Sequence, residues 1–162
     1  MLTALIDYES GNLHSALKAF EKISSENSLG SVTITNDPEI ISNADRLVLP
    51  GDGAFPACKA ALEKSEVFEA LKHAVLAKRR PFLGICVGMQ LMAKKGFEFE
   101  PTNGLNWING QVERIQLDDP SLKIPHMGWN EIAIDYDHAI LKDIKNGDHF
   151  YFVHSYLSLI HI

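Results

Sequence analysis

Cysteine is scarce in this chain. Its 162 residues hold two, Cys58 and Cys86, too few for a disulfide framework, and the opening "MLTALIDYES" has neither a charged n-region nor an apolar run long enough for a secretory signal. Long hydrophobic runs are missing as well: no stretch approaches the ~20 apolar residues that a bilayer span requires. Positive charge is in deficit, with 15 basic against 21 acidic residues and a net charge of −6. No basic patch is offered to nucleic acid or to an anionic membrane surface. Internal repeats, linkers and low-complexity tracts are also absent. These absences lead to the expectation of a cytoplasmic protein with reduced thiols and no nucleic-acid or membrane partner.

What is present is ordinary globular composition, 46% apolar and 22% charged, in a chain long enough to bury roughly 68–70% of its unfolded surface. One domain over 1–162 is expected. Short β-rich runs, "LTALID" (Leu2 to Asp7), "SVTIT" (Ser31 to Thr35), "RLVLP" (Arg46 to Pro50) and "PFLGIC" (Pro81 to Cys86), alternate with helical patterns. That alternation predicts an α/β fold, a mostly parallel sheet flanked by crossover helices. The stripe Leu13, Leu17, Phe20 and, slightly off it, Ile23 marks one helix; Val67, Leu71, Val75 and Leu76 mark another. After Gly104 the pieces "QVERIQL", "EIAID" and "HFYFVHSY" read as strands separated by turns, an antiparallel β extension in the C-terminal half.

Ligands of open α/β sheets collect outside the carboxyl ends of the strands, so the loops there are where chemistry is sought. "DYESGNLHS" has Gly11-Asn12 for a tight turn, with Asn12 a helix N-cap candidate. "LPGDGAFP" carries two glycines within three residues, which lets backbone N–H groups approach a ligand, although turn glycines after a strand are common. Gly84-x-Cys86-x-Gly88 has the spacing of a nucleophile elbow, a sharp strand-to-helix turn that exposes a nucleophile above the sheet. The helix N-terminus that follows favours thiolate. The bland alternative is a structural cysteine at a strand end. For Cys58, at a helical position in "AFPACKAALEK", that structural reading is the one adopted.

The segments "IDYESGNLHS", "LVLPGDGAFPA", "PFLGICVGMQLM", "IPHMGWNEI" and "YFVHSY" together resemble the class I (triad) glutamine amidotransferases, and within them the glutaminase subunit of imidazole glycerol phosphate synthase. The resemblance runs from Leu2 to about Tyr156 and implies the flavodoxin-like fold of that family. It implies hydrolysis of glutamine to glutamate and ammonia, with no cofactor or metal. The ammonia would pass to a (β/α)8 barrel cyclase subunit, which makes imidazole glycerol phosphate and an aminoimidazole carboxamide ribotide in histidine biosynthesis. Carried over by position, Cys86 is the nucleophile. The oxyanion hole falls to the backbone of Val87 and of Gly51, Asp52 and Gly53, with Asp52 standing where the family usually has an apolar residue. Gln90 and Glu98 match positions that hold the ends of glutamine, and without the resemblance both read as helix-surface residues. Ser155 and Tyr156 match a segment that closes over the substrate. Asn12, His126, Met127 and Trp129 match the partner interface, where Asn12, Met127 and Trp129 should be partly exposed on one face near the site.

The family's base is a histidine followed by proline and glutamate, and none of the seven histidines here precedes a proline. His14, His73 and His138 read as surface residues, His149 as the start of a strand, His154 as a neighbour of the site and His161 as part of a tail, "LSLIHI", unlike the family's continuation. The expectation is a C-terminally incomplete domain lacking its last strands and helix, with little turnover of its own. A non-catalytic partner-binding module and a reactive-cysteine sensor stay open at this level.

Overall fold

The computed structural model describes residues 1–119 and 121–160. The chain forms two compact units, Met1–Glu113 with Ser158–Ile162, and Arg114–Leu157. In chain order the first unit begins with β1 (Leu2–Ile6), α1 (Leu13–Asn27), β2 (Ser31–Thr35), α2 (Pro38–Asn43), β3 (Arg46–Gly51), α3 (Phe55–Lys64), α4 (Phe68–Lys72) and β4 (Phe82–Cys86). These strands make an all-parallel sheet of order β2-β1-β3-β4, with Leu5 registered on Ile34 and Val48, and Gly51 on Cys86. The chain leaves β1 in one direction for β2 and in the other for β3. That reversal opens a crevice at the carboxyl ends of β1 and β3. A one-turn helix α5 (Val87–Gln90) follows, then β5 (Ala93–Gly96), β6 (Thr102–Asn103) and β7 (Ile108–Arg114). With β10 (Tyr156–Ile160) these form a second sheet of order β10-β7-β5-β6.

Helix starts follow local chemistry. Asn12 accepts from the Ser15 N–H at 3.2 Å to open α1, and Asp37 accepts from Glu39 N–H at 2.8 Å to open α2, with Pro38 in the first turn where a missing N–H costs nothing. The core is Ala4, Leu5, Ile6, Leu47, Val48 and Leu49 from the central strands, against Ile41, Phe55, Leu62, Val67 and Leu71 from the helices. Burying such side chains contributes roughly 1.5–3 kcal/mol each.

Two helical stripes depart from the expectation. Leu13, Leu17 and Phe20 are half-buried, but Ile23 is 53% exposed, since it sits off the face that α1 lays on β2. In the second stripe Val67 and Leu71 are buried, whereas Leu76 is 52% exposed. There the helix widens into a π turn over His73–Ala77, whose extra residue shifts the phase and brings Ala74 inward in place of Leu76.

The second unit is built on an antiparallel hairpin, β8 (His126–Glu131) and β9 (His149–His154), with a single 3-10 turn at Ala139–Leu141 between them. The strand expected at "EIAID" is therefore displaced: β8 ends at Glu131 and the following segment is loop. Asn130 and Gly128 masked the strand, because both residues are poor strand formers. Prediction: Leu5→Ala, in the central strand, lowers unfolding free energy by about 2–5 kcal/mol, while Ile23→Ala changes it by less than about 0.5 kcal/mol. Urea titration followed by circular dichroism reads both.

Candidate active site

Cys86 closes β4 and caps α5 with φ 54° and ψ −121°, a left-handed conformation unusual for a residue with a side chain. Such strain is of order 1–3 kcal/mol and persists where the surroundings enforce it. Here they do. A methyl group on Gly88 would lie 1.9 Å from the Leu49 carbonyl oxygen, and one on Gly84 2.5 Å from the Met89 Cα. The chain turns on itself and onto β3 at the same point, and only glycines fit the flanks. The thiol is exposed at the apex. The strand-to-helix junction expected for Cys86 is present, but the helix is a single turn, so the dipole that was expected to favour thiolate is that of four residues only.

The Pro50 to Gly53 segment lies alongside. Gly51 registers on Cys86, and Gly11, in the loop after β1, packs so tightly on Pro50 that an added Cβ would sit 3.0 Å from its ring. Asp52 is exposed, so its carboxylate has access to water. Its peptide groups are held from behind: the Asp52 N–H donates to Ser10 Oγ at 3.3 Å, and Ser10 Oγ–H donates to the Asp52 carbonyl at 3.0 Å. The buried Cys58 thiol adds a 3.5 Å bond to that carbonyl and lies 3.2 Å from Ser10 Oγ. Burial pushes the Cys58 thiol up, Ser10 and Tyr8 pull against this, and the Asp52 and Glu98 carboxylates add to it. Cys58 is buried in α3, as its structural reading expects, but its bond to the Asp52 carbonyl and the part played by Ser10 went unnoticed in the sequence. The only signal was a hydroxyl one residue before the Gly11 turn.

Gln90 and Glu98 are not the helix-surface pair that residue patterning suggested. Gln90 ends α5 and is 8% exposed. Glu98 lies in a bend after β5, half-buried, where its Oε2 accepts from the Phe55 N–H at 2.7 Å. Ala54, the cap residue of α3, has no side chain able to do this. Glu98 is therefore a long-range cap for α3, and it braces the segment that follows Gly51–Gly53.

Ser155 and Tyr156 belong to the second unit, where the Ser155 carbonyl accepts from Ile115 N–H at 2.9 Å. The β8–β9 hairpin has two different faces. Met127, Trp129, Tyr151 and Val153 share one and are all exposed, Trp129 to 71%. His126, half-buried, is on the opposite face, 3.2 Å (Nδ1) from His154 Nε2 and stacked on Phe152. Asn12 is exposed at the start of α1. His14, His73, His138 and His149 are exposed, as expected. His161 lies outside the described residues. Among the described residues no imidazole hydrogen-bonds Cys86, no group of three His, Cys, Asp or Glu could hold a metal ion, and no helix is long and apolar enough to cross a membrane.

A cysteine on a strained turn docked against a glycine-rich strand end is an arrangement for acyl transfer through a thioester. Residues 4–158 match the family described as glutamine amidotransferase class-I, and the chain belongs to that family. Within it, the chain is 55% identical to the imidazole glycerol phosphate synthase subunit HisH of Cereibacter sphaeroides over 157 residues, 96% of this chain and 74% of that protein. The subunit of the same name from Ruegeria pomeroyi is 57% identical over the same shares of each chain. The Caulobacter vibrioides subunit is 49% identical over 94% of this chain and 72% of its own.

Two outcomes are expected of this geometry. Gly88→Ala, which drives a methyl into a strand carbonyl, costs roughly 3 kcal/mol in chemical denaturation. The raised Cys58 thiol means that the fold favours the neutral form: its contribution is whole below the unfolded thiol value near ~8.5 and is lost as pH rises through the higher folded value. Stability measured by denaturation from pH 7 to 10 should fall less steeply in Cys58→Ala than in the parent.

Proposed function

We propose that this chain is the glutaminase subunit of imidazole glycerol phosphate synthase, with Cys86 as its nucleophile. The observation that carries the reading is the exposed Cys86 thiol on a left-handed turn against the end of β3, in a chain of the class I amidotransferase family. Cys86 Sγ attacks the side-chain amide carbon of glutamine. The carbonyl oxygen takes the negative charge, the proton given up by the Cys86 thiol passes to the amide nitrogen, the C–N bond breaks and ammonia leaves, and water then releases glutamate from the thioester and returns the thiol. The oxyanion is met by backbone N–H groups of Val87 and of the Gly51-Asp52-Gly53 segment. In the present conformation the Asp52 N–H is engaged by Ser10, so it exchanges that bond before it can serve an oxyanion. Gln90 and Glu98 hold the ends of glutamine, and Ser155 and Tyr156 close over it; Glu98 combines this with its bond to Phe55.

Ammonia passes to a (β/α)8 cyclase subunit in a cytoplasmic heterodimer. The exposed Met127 and Trp129 are the hairpin face offered to that partner, His126 supports them from the hairpin's other face, and Asn12 is a further contact from the first unit. No cofactor is required, because amide hydrolysis through a thioester moves no electrons between redox states.

The test is glutamate release by the purified chain with the cyclase subunit and its nucleotide substrate. Cys86→Ala should abolish it, and a chain extended through a His-Pro-Glu segment should exceed these 162 residues by at least about tenfold, since base and nucleophile act as a unit. Equal rates in the two chains would place the base among the histidines present. Trp129→Ala should weaken binding to the cyclase roughly 30-fold, the effect of a central aromatic anchor; titration calorimetry reads it.

A further inference from the structure

Among the described residues, two side-chain polar atoms are buried without a hydrogen-bond partner, Arg80 Nε and the Tyr8 hydroxyl. Tyr8 follows β1 and is 2% exposed. A phenol so placed ordinarily finds an acceptor. This one has Ser10 and Cys58 beside it, but the Ser10 proton is given to the Asp52 carbonyl and the Cys58 thiol is turned to the same atom. Burial, the largest influence, holds the phenol firmly in its neutral form, so it stays an O–H donor that bears on the Cys58 sulfur but has no partner at hydrogen-bond geometry.

Its location gives that dipole a use. A Cβ built on Gly51 would stand 3.0 Å from the Tyr8 oxygen, 2.5 Å from Gly88 N and 3.1 Å from the Val87 carbonyl carbon. Gly51 is thus where the phenol, the end of β3 and the turn after Cys86 come together. It is also the residue registered on Cys86. The ionisable groups that bear on Tyr8 and Cys58, besides each other, are Cys86, Asp52 and Glu98. No cation is among them, which leaves dipoles to act there.

We propose that Tyr8 is a positioning residue for Cys86: its ring sets the spacing between Gly51 and the Val87–Gly88 peptide, and its uncommitted O–H turns toward the negative charge that develops when Cys86 reacts. The role rests on Cys86 being the nucleophile. It explains why a polar group is kept in a place where phenylalanine would fill the same volume without an unsatisfied hydroxyl.

The experiment compares the parent with Tyr8→Phe and Tyr8→Leu. Cys86 modification by iodoacetamide is followed from pH 6 to 10 and located by peptide mass, beside inactivation by a glutamine-like chloroketone and thermal melting. Tyr8→Phe keeps the spacer, so it should melt at or above the parent temperature. Its iodoacetamide profile should move to higher pH, with a rate at neutral pH about threefold to tenfold lower. Tyr8→Leu should melt lower and react more slowly with both reagents. Superimposable profiles for parent and Tyr8→Phe would overturn the proposal. Loss of the melting transition in Tyr8→Phe would overturn it too, because an unpartnered hydroxyl cannot be what the fold requires. A parent protein that reacts with iodoacetamide but not with the chloroketone would sink the glutaminase reading instead, while the iodoacetamide comparison still decides the place of Tyr8.

Discussion

The contact between the Gly88 α-carbon and the Leu49 carbonyl is the constraint on which the rest of the site depends. Backbone meets backbone there, so nothing with a side chain can stand in, and the turn cannot relax away from β3 without giving up the parallel register of Gly51 on Cys86. The left-handed φ of Cys86 follows from that contact. So does the exposure of its thiol: a residue forced into this conformation at a strand end points its side chain away from the sheet's covered faces. Strain at one residue is offset by the packing of two elements.

Around that contact the neighbouring loops are secured by side chains from distant parts of the chain. Ser10, from the loop after β1, grips both peptide groups of Asp52, and Glu98, from the bend after β5, caps α3 a few residues further on. The glycine-rich segment between them has little of its own to hold it. Its geometry is imposed from outside, which is how a flexible composition yields a defined backbone beside Cys86.

Most of the first unit's sheet was legible in the sequence because a central strand buried on both faces writes itself as an apolar run, as "RLVLP" does, while "SVTIT", at the half-exposed edge, is rich in β-branched residues bounded by turns. The Cys86 turn was legible because glycine at both flanks leaves few alternatives. What escaped was non-local or out of phase. The π turn after α4 broke a helical stripe that periodicity carried straight through Leu76. The strand at His126–Glu131 was hidden by Gly128 and Asn130. The one-turn length of α5 was set by the chain's need to enter β5, not by any stop signal. The Tyr8, Ser10 and Cys58 cluster joins residues up to 50 positions apart, and no spacing rule within a single element reaches that far.

The histidine pair on the hairpin has a consequence for where its protons sit. The Tyr156 carbonyl, 2.9 Å from His154 Nδ1, can only accept, so that nitrogen carries hydrogen. When the ring is neutral, its Nε2 is then bare and must receive from His126 Nδ1–H across 3.2 Å. This leaves the Nε2 of His126 to accept from the Asn130 amide, whose oxygen is already oriented by the Glu131 N–H at 2.9 Å. The donors run one way along the row, from strand β8 across to β9. Both imidazoles are thereby locked in the Nδ1–H tautomer. Neither neutral ring can exchange its proton for the other form alone, so the hairpin's two strands share one ordering of hydrogens, a directional bond chain written in imidazole chemistry.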